Sequence, residues 1–268
     1  MKPRPRKRFG QHFLGPAWAD RVVEAIAPQP SDRFLEIGAG PGVLTSRLAP
    51  RVSHLTAIEI DRDLAAALQQ QSFPNVEVVT GDILAIDPRP IVGGNPLRIA
   101  GNLPYNISSP ILFRLFDWAR DFPQISDATL MVQQEFADRL SGAAGTKDYG
   151  VLTIFTALSA DVRRLFDLPP GAFRPAPKVR SSLVRLTFRP APVQLASGEI
   201  FTQVVRSVFT QRRKTLANAA RTVAEDHGAT AVAALSAAGI DPGRRPEALT
   251  LEEFARLANV LSRDGSRD

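Results

Sequence analysis

Between about residues 30 and 135, five short apolar runs alternate with segments of helical length and apolar spacing. The runs are 33–38 (RFLEIG), 55–60 (LTAIEI), 76–82 (VEVVTGD), 97–101 (LRIAG) and 128–133 (ATLMVQ), with helical patterns such as 62–70 and 109–118 between them. This rhythm predicts βαβ units on a mostly parallel sheet, which places its binding residues at the carboxyl ends of the strands. After residue 150 the pattern changes. An apolar stretch at 151–160 gives way to Pro169, Pro170, Pro175 and Pro177, then 182–188 reads as a further strand and 188–193 as a linker. Beyond it, 199–210, 214–224, 231–237 and 251–261 are all helical in pattern. The expected fold is therefore α/β: a Rossmann-like domain over 1–190 and a small all-helical domain over 191–268.

With 44% hydrophobic residues in 268, the chain has material for packed cores and is not a disordered polymer. No window approaches the length of a membrane span, and the basic N-terminus lacks the apolar run of a signal peptide. The absence of Cys excludes disulfides and thiolate chemistry, and His12, His54 and His227 are too scattered to make a zinc site alone. A cytoplasmic protein that uses no metal is expected. The net charge of +6 is concentrated: residues 1–19, 161–189 and 201–224 each carry +5, so the remainder sums to −9. Three basic strips on an acidic body suit a polyanionic partner, because phosphate contacts are made locally. Solvated basic faces are the bland alternative.

Glu36-Ile-Gly-Ala-Gly-Pro-Gly42 follows the first run directly and opens a helix at about 43–48. Gly38 and Gly40 allow a tight turn and close approach of a ligand. Val43 stands where a dinucleotide-binding GxGxxG motif needs its last Gly, so a nucleotide-like cofactor without pyrophosphate fits better than NAD. Glu59, 21 residues beyond Gly38, ends the second run, where a carboxylate accepts hydrogen bonds from ribose hydroxyls. Asp82 ends the third, placed to receive an adenine amino group. The fourth leads into Asn102, Leu103, Pro104 and Tyr105, which offer an amide oxygen, backbone carbonyls for an exocyclic amine, and a ring for stacking a base. An ordinary turn is the alternative there.

These motifs resemble an S-adenosylmethionine-dependent methyltransferase acting on an adenine amino group. More closely, RFGQHFL (8–14), GNLPYNIS (101–108), FRPAPKVRSS (173–182), FTQRRKTL (209–216) and RPEAL (245–249) resemble the ribosomal RNA adenine N6-dimethyltransferase family and its small-subunit branch. The resemblance runs from about residue 6 to 261. It implies S-adenosylmethionine as cofactor and S-adenosylhomocysteine as product. It implies as substrate two adjacent adenosines near the 3′ end of 16S rRNA, in the small subunit or its precursor. Carried over residue by residue, it places His12 and Leu14 over the cofactor, Gly38 against its methionine part, Glu59 on the ribose, and Asp82 with Ile83 on the adenine. Asn102 sits at the junction of cofactor and target. One departure stands out: His12 occupies a position that is often Asn in this family.

The implied mechanism has Asn102 and a carbonyl around Leu103 and Pro104 accept hydrogen bonds from the target NH2, localising its nitrogen lone pair. Tyr105 and Phe173 would sandwich the extruded base. A monomer acting on RNA, with the helical domain recognising rRNA, is expected. The rivals are a 23S rRNA dimethyltransferase of the macrolide-resistance type, disfavoured by RRKTL and RPEAL, a non-catalytic RNA-binding assembly factor, and an NAD-dependent dehydrogenase.

Overall fold

The computed structural model of the chain describes residues 10–264. The basic arm over residues 1–8 and the start of the RFGQHFL motif lie outside the described residues. The chain divides into two compact units, one comprising the chain up to Ala137 together with Ser159–Arg189, the other Asp138–Leu158 and the chain from Pro190.

The sheet unit contains β1 (Phe13–Leu14), β2 (Arg33–Ile37), β3 (His54–Glu59), β4 (Val76–Thr80), β5 (Leu97–Asn102), β6 (Ile125–Gln133), β7 (Ala160–Leu168), β8 (Phe173–Arg174) and β9 (Ser181–Phe188). Seven of these form one sheet in the order β4-β3-β2-β5-β6-β9-β7, while β1 and β8 pair separately. The strands from β4 to β6 are parallel, and β9 runs antiparallel to both β6 and β7. β2 and β3 are buried along almost their whole length, which is why they read as continuous apolar runs rather than as alternations.

The chain crosses outward from β2 to β3 and β4, then returns to the other side of β2 as β5. The strand order therefore reverses between β2 and β5, and a crevice opens at that switch point. Ile37 of β2 pairs with Gly101 of β5, so the glycine loop after β2 emerges beside Asn102. Gly101 is what permits this approach, since a Cβ there would stand 2.7 Å from the Ile37 carbonyl oxygen.

The helices that flank this sheet are α1 (Pro16–Ile26), α2 (Thr45–Leu48), α3 (Arg62–Gln69), α4 (Arg89–Val92) and α5 (Ser108–Asp121). α1 adds an element to those expected from sequence. It starts with Pro16, whose ring suits the first turn, and buries Ala19, Val22, Val23 and Ile26, one stripe at helical spacing. The expected helix at 43–48 is shorter, beginning at Thr45.

The helical unit holds the end of α6 (Gln134–Leu140), most of α7 (Val151–Ser159), and α8 (Gly198–Thr210), α9 (Leu216–Ala219), α10 (Arg221–Glu225), α11 (Ala231–Ala237) and α12 (Leu251–Asp264). Phe201, Val204, Val205 and Val208 of α8 pack with Phe254, Leu257, Ala258 and Leu261 of α12. The expected single helix over 214–224 is two short ones.

The 1–190 assignment of the first domain needs correction. Residues 138–158 belong to the helical unit: Tyr149 and Ile154 are buried in its core, and the Tyr149 hydroxyl donates to the Leu249 carbonyl. The chain therefore leaves the sheet after β6 and re-enters it through β7. Sequence reading misses β7 because it is an edge strand with mixed burial, and because its register shifts between Arg164 and Phe166, which breaks the two-residue period.

Candidate active site

The glycine loop is pinned where it leaves β2: the amides of Gly38 and Ala39 both donate to the Ile58 carbonyl, at 2.9 and 3.2 Å. Gly38 and Gly40 have φ of +71° and +57°, a left-handed backbone that glycine adopts freely. Glu59, at the end of β3, reaches across with both carboxylate oxygens occupied on one side. Oε2 accepts from the Gly40 amide at 2.7 Å and Oε1 from the Asp61 amide at 2.9 Å. A carboxylate can accept about four hydrogen bonds, so Glu59 keeps acceptor capacity beyond these amides. Burial raises the Glu59 pKa above the ordinary carboxylate value, and these two amides work against that rise.

Loop and strand ends border an open cleft. Its lining brings together His12, Gly38, Gly40, Glu59, Asn102, Leu103, Pro104 and Tyr105 from the expected set, and adds Gly10, Gln11, Phe13 and Ile60. A second, adjoining hollow is lined by Leu14, Glu36, Leu44 and Met131 as well as by Gly38, Gly40 and Asn102. Glu36 is fully buried, its Oε2 accepting from the Thr45 hydroxyl at 2.7 Å, and burial pushes its pKa up to about 8. Its place before Gly38 is plain in the sequence, but strand position alone does not show that it turns inward.

The Asn102 side chain is oriented by the segment over residues 10–14. Its Nδ2 donates to the His12 carbonyl at 2.7 Å, and since a carbonyl can only accept, the amide oxygen must point the other way. Among the described residues that Oδ1 has no hydrogen-bond partner. The Pro104 carbonyl is already engaged by the Ile107 amide at 3.1 Å and the Ser108 hydroxyl at 3.0 Å. The expected backbone acceptor around Leu103 and Pro104 is therefore the Leu103 carbonyl, whose own amide is tied to the Met131 carbonyl.

Other expectations change. Phe173 does not offer a stacking face. It is 1% exposed, paired with Leu14 between β8 and β1, and packed in the sheet unit's core with Met131 and Leu183. Its size and apolarity are better satisfied there than at a wet cleft. Tyr105 instead has the His12 imidazole on it, ring centroids 5.4 Å apart and planes 22° from parallel. His12 Nδ1 donates to the Pro175 carbonyl at 2.7 Å. Asp82 and Ile83 follow β4 beside the Glu59 end of β3, linked by the Gly81 amide to the Glu59 carbonyl, but they do not line either hollow. Asp82 Oδ1 accepts from the Leu84 amide.

The ribosomal RNA adenine dimethylase family matches residues 3–263. The chain belongs to this family. As a member of the ribosomal RNA adenine dimethylase family it is an S-adenosylmethionine-dependent enzyme that methylates adenine of ribosomal RNA. It is 43% identical over 263 residues to the ribosomal RNA small subunit methyltransferase A of Syntrophotalea carbinolica, covering 97% of this chain and 98% of that one. It is 44% identical over 259 residues to the protein of the same name from Xanthomonas campestris pv. campestris, covering 95% of each. Among solved structures, a dimethyladenosine transferase from Plasmodium falciparum superposes with a TM-score of 0.80 at 25% identity, covering 95% of this chain and 98% of that one. The 23S rRNA methyltransferase ErmE superposes at 0.64 and 31%, covering 93% and 99%.

The cleft fits the cofactor of a ribosomal RNA adenine dimethylase. Gly38 and Gly40 present bare backbone, where a Cβ on Gly40 would already crowd the Phe13 ring at 3.2 Å. Glu59 keeps free lone pairs beside it for hydroxyl groups. No helix among the described residues is long and apolar enough to cross a membrane.

Proposed function

We propose that the chain dimethylates N6 of two adjacent adenosines near the 3′ end of 16S rRNA, in the small subunit or its precursor, contributing to subunit biogenesis. The observation that carries this reading is the pair of open acceptors, Asn102 Oδ1 and the Leu103 carbonyl, beside a glycine-lined cleft at the sheet's switch point.

Adenine N6 is a poor nucleophile because its lone pair is delocalised into the ring. Two acceptors aimed at the NH2 group favour a pyramidal nitrogen and localise that pair, and because they are held in place before the substrate arrives, little reorganisation is needed. His12, through its backbone, holds the Asn102 amide in the one orientation that accepts. Tyr105 supplies a ring face for the base, which requires the His12 imidazole to yield its place. Gly38, Gly40 and Glu59, with Leu14 and Asp82 nearby, would hold the cofactor, which when bound supplies an electrophilic methyl on a sulfonium. The nucleophile being activated by acceptors alone, we keep metal ions out of the proposed reaction, and the protein is proposed to act as a cytoplasmic monomer.

The helical unit is proposed to recognise rRNA. Arg212 is not part of its binding surface: Nε pairs with Glu247 at 2.8 Å, and its other nitrogens donate to the carbonyls of Thr146 and Lys147. That ion pair ties the RRKTL and RPEAL motifs to each other and leaves Arg213 and Lys214 available for phosphate. The likeness to ErmE keeps 23S rRNA as the second reading. Labelled methyl transfer to undermethylated small and large subunits separates the two. Label on adjacent 16S adenosines supports the first reading, and label confined to 23S rRNA replaces it.

A further inference from the structure

The motif over 173–182 is tied to the cleft at both ends. At one end Phe173 pairs with Leu14 and the Pro175 carbonyl accepts from His12. At the other, the Ser181 hydroxyl meets the Tyr105 hydroxyl at 2.6 Å. Ser181 is 0% exposed and opens β9, where it is flanked by Gln133 of β6 and Leu168 of β7. Its backbone is thus held in register by strands on both sides. Tyr105, by contrast, lies on a single 3-10 turn after Pro104, with the His12 imidazole stacked on its ring. The hydroxyl lies on the axis of the tyrosine's last torsion, so a tether there fixes where the ring's long axis ends and hence where the ring sits in the cleft.

We propose that Ser181 is a positioning residue for methyl transfer, holding the Tyr105 ring at the place against which the target adenine stacks. Ring position fixes where the stacked base can lie, and that fixes whether N6 meets Asn102 Oδ1 and the Leu103 carbonyl together. Burial raises the Tyr105 pKa, which keeps its hydroxyl protonated and able to share this hydrogen bond across the neutral range. Misplacing a reacting atom by about 1 Å can cost on the order of a hundredfold in rate. A ring displaced by less than that, which still stacks the base, should cost less, about tenfold. The proposal rests on the methyl-transfer reading above.

The test is single-turnover methylation of undermethylated small subunits by the full-length protein. Ser181→Ala and Tyr105→Phe each remove the same hydrogen bond from opposite ends. Each is expected to slow transfer about tenfold while S-adenosylmethionine affinity stays within about twofold. Because the two side chains act as one unit, the double variant is expected to be no slower than either single one. Ser182→Ala is the structural control. It is equally buried, but its hydroxyl donates to Asp167 at 2.7 Å, and it is expected to leave the rate unchanged. Wild-type rates in both Ser181→Ala and Tyr105→Phe overturn the proposal, as do losses that multiply in the double variant, or an equal loss in Ser182→Ala. If Ser181→Ala does not fold, Tyr105→Phe decides alone, since it leaves the sheet intact. Absence of transfer by the wild-type protein would instead contradict the methyl-transfer reading itself.

Discussion

Replacing Glu36 with glutamine should change how the stability of the sheet unit depends on pH, and by an amount the structure sets. The Glu36 carboxyl is fully buried, takes one hydrogen bond from Thr45, and has its pKa moved from 4.5 to about 8, chiefly by desolvation. The folded protein therefore holds this proton more tightly than the unfolded chain does. Glu36 detracts nothing below pH 4.5, and stability falls as pH rises from there to about 8, where the loss levels off. At about 1.4 kcal/mol per pH unit, the full window amounts to roughly 5 kcal/mol, and the part between about pH 6 and 8 to roughly 2–3 kcal/mol. A glutamine at this position still offers an oxygen to Thr45 and does not titrate. Both tryptophans, Trp18 and Trp118, lie in the sheet unit, so urea unfolding followed by tryptophan fluorescence reports that unit. Groups that do not interact with Glu36 cancel in the difference between variant and wild type, and the repulsion from Glu59 that adds to the Glu36 shift is removed with the Glu36 charge. The Glu36→Gln protein should gain about 2–3 kcal/mol on the wild type between about pH 6 and 8. A difference that stays constant within about 0.5 kcal/mol over that range would refute the reasoning, because it would mean the carboxyl is already ionised or sees water.

Gly40→Ala should place a side chain in a left-handed backbone, at a cost of about 1–2 kcal/mol, and press its Cβ on Phe13. Calorimetry should show S-adenosylmethionine binding weakened at least about tenfold, and unchanged affinity would mean the loop does not frame the cofactor. Arg212→Ala should loosen the helical unit by about 1–2 kcal/mol, since it removes a partly exposed ion pair and two bonds to carbonyls. Amide exchange over residues 143–148 and 244–249 would show it. Combined Arg213→Ala and Lys214→Ala should leave stability alone but weaken subunit binding and lower its salt slope, by up to about 0.9 for each phosphate no longer neutralised. An unchanged slope would mean that these two cations face solvent only.

The parts of the site that are legible in the sequence are those fixed by strand ends. Gly38, Glu59 and Asn102 close strands that a parallel sheet must place side by side, so their convergence follows from order and spacing. Residues whose role depends on side-chain direction are not legible. Phe173 sits in a motif that the family resemblance puts at the target base, yet its ring turns into the core. Ser181 lies in the same motif, and only the fold brings its hydroxyl to Tyr105, 76 residues away. The excursion over 138–158 is hidden for a related reason. Its apolar residues fill a core built mainly from sequence beyond 190, and the charged edge strand that follows it carries no clean alternation.

The account turns on the Asn102 amide oxygen, held open to the target by the His12 carbonyl. Single-turnover transfer to undermethylated small subunits by the Asn102→Ala protein, with cofactor and RNA affinities measured alongside, tests it most directly. Removing a preorganised hydrogen-bonding group of this kind typically costs about 10²–10³ in rate. Transfer should fall by at least that much while both affinities stay within about tenfold. Transfer at the wild-type rate would contradict the account.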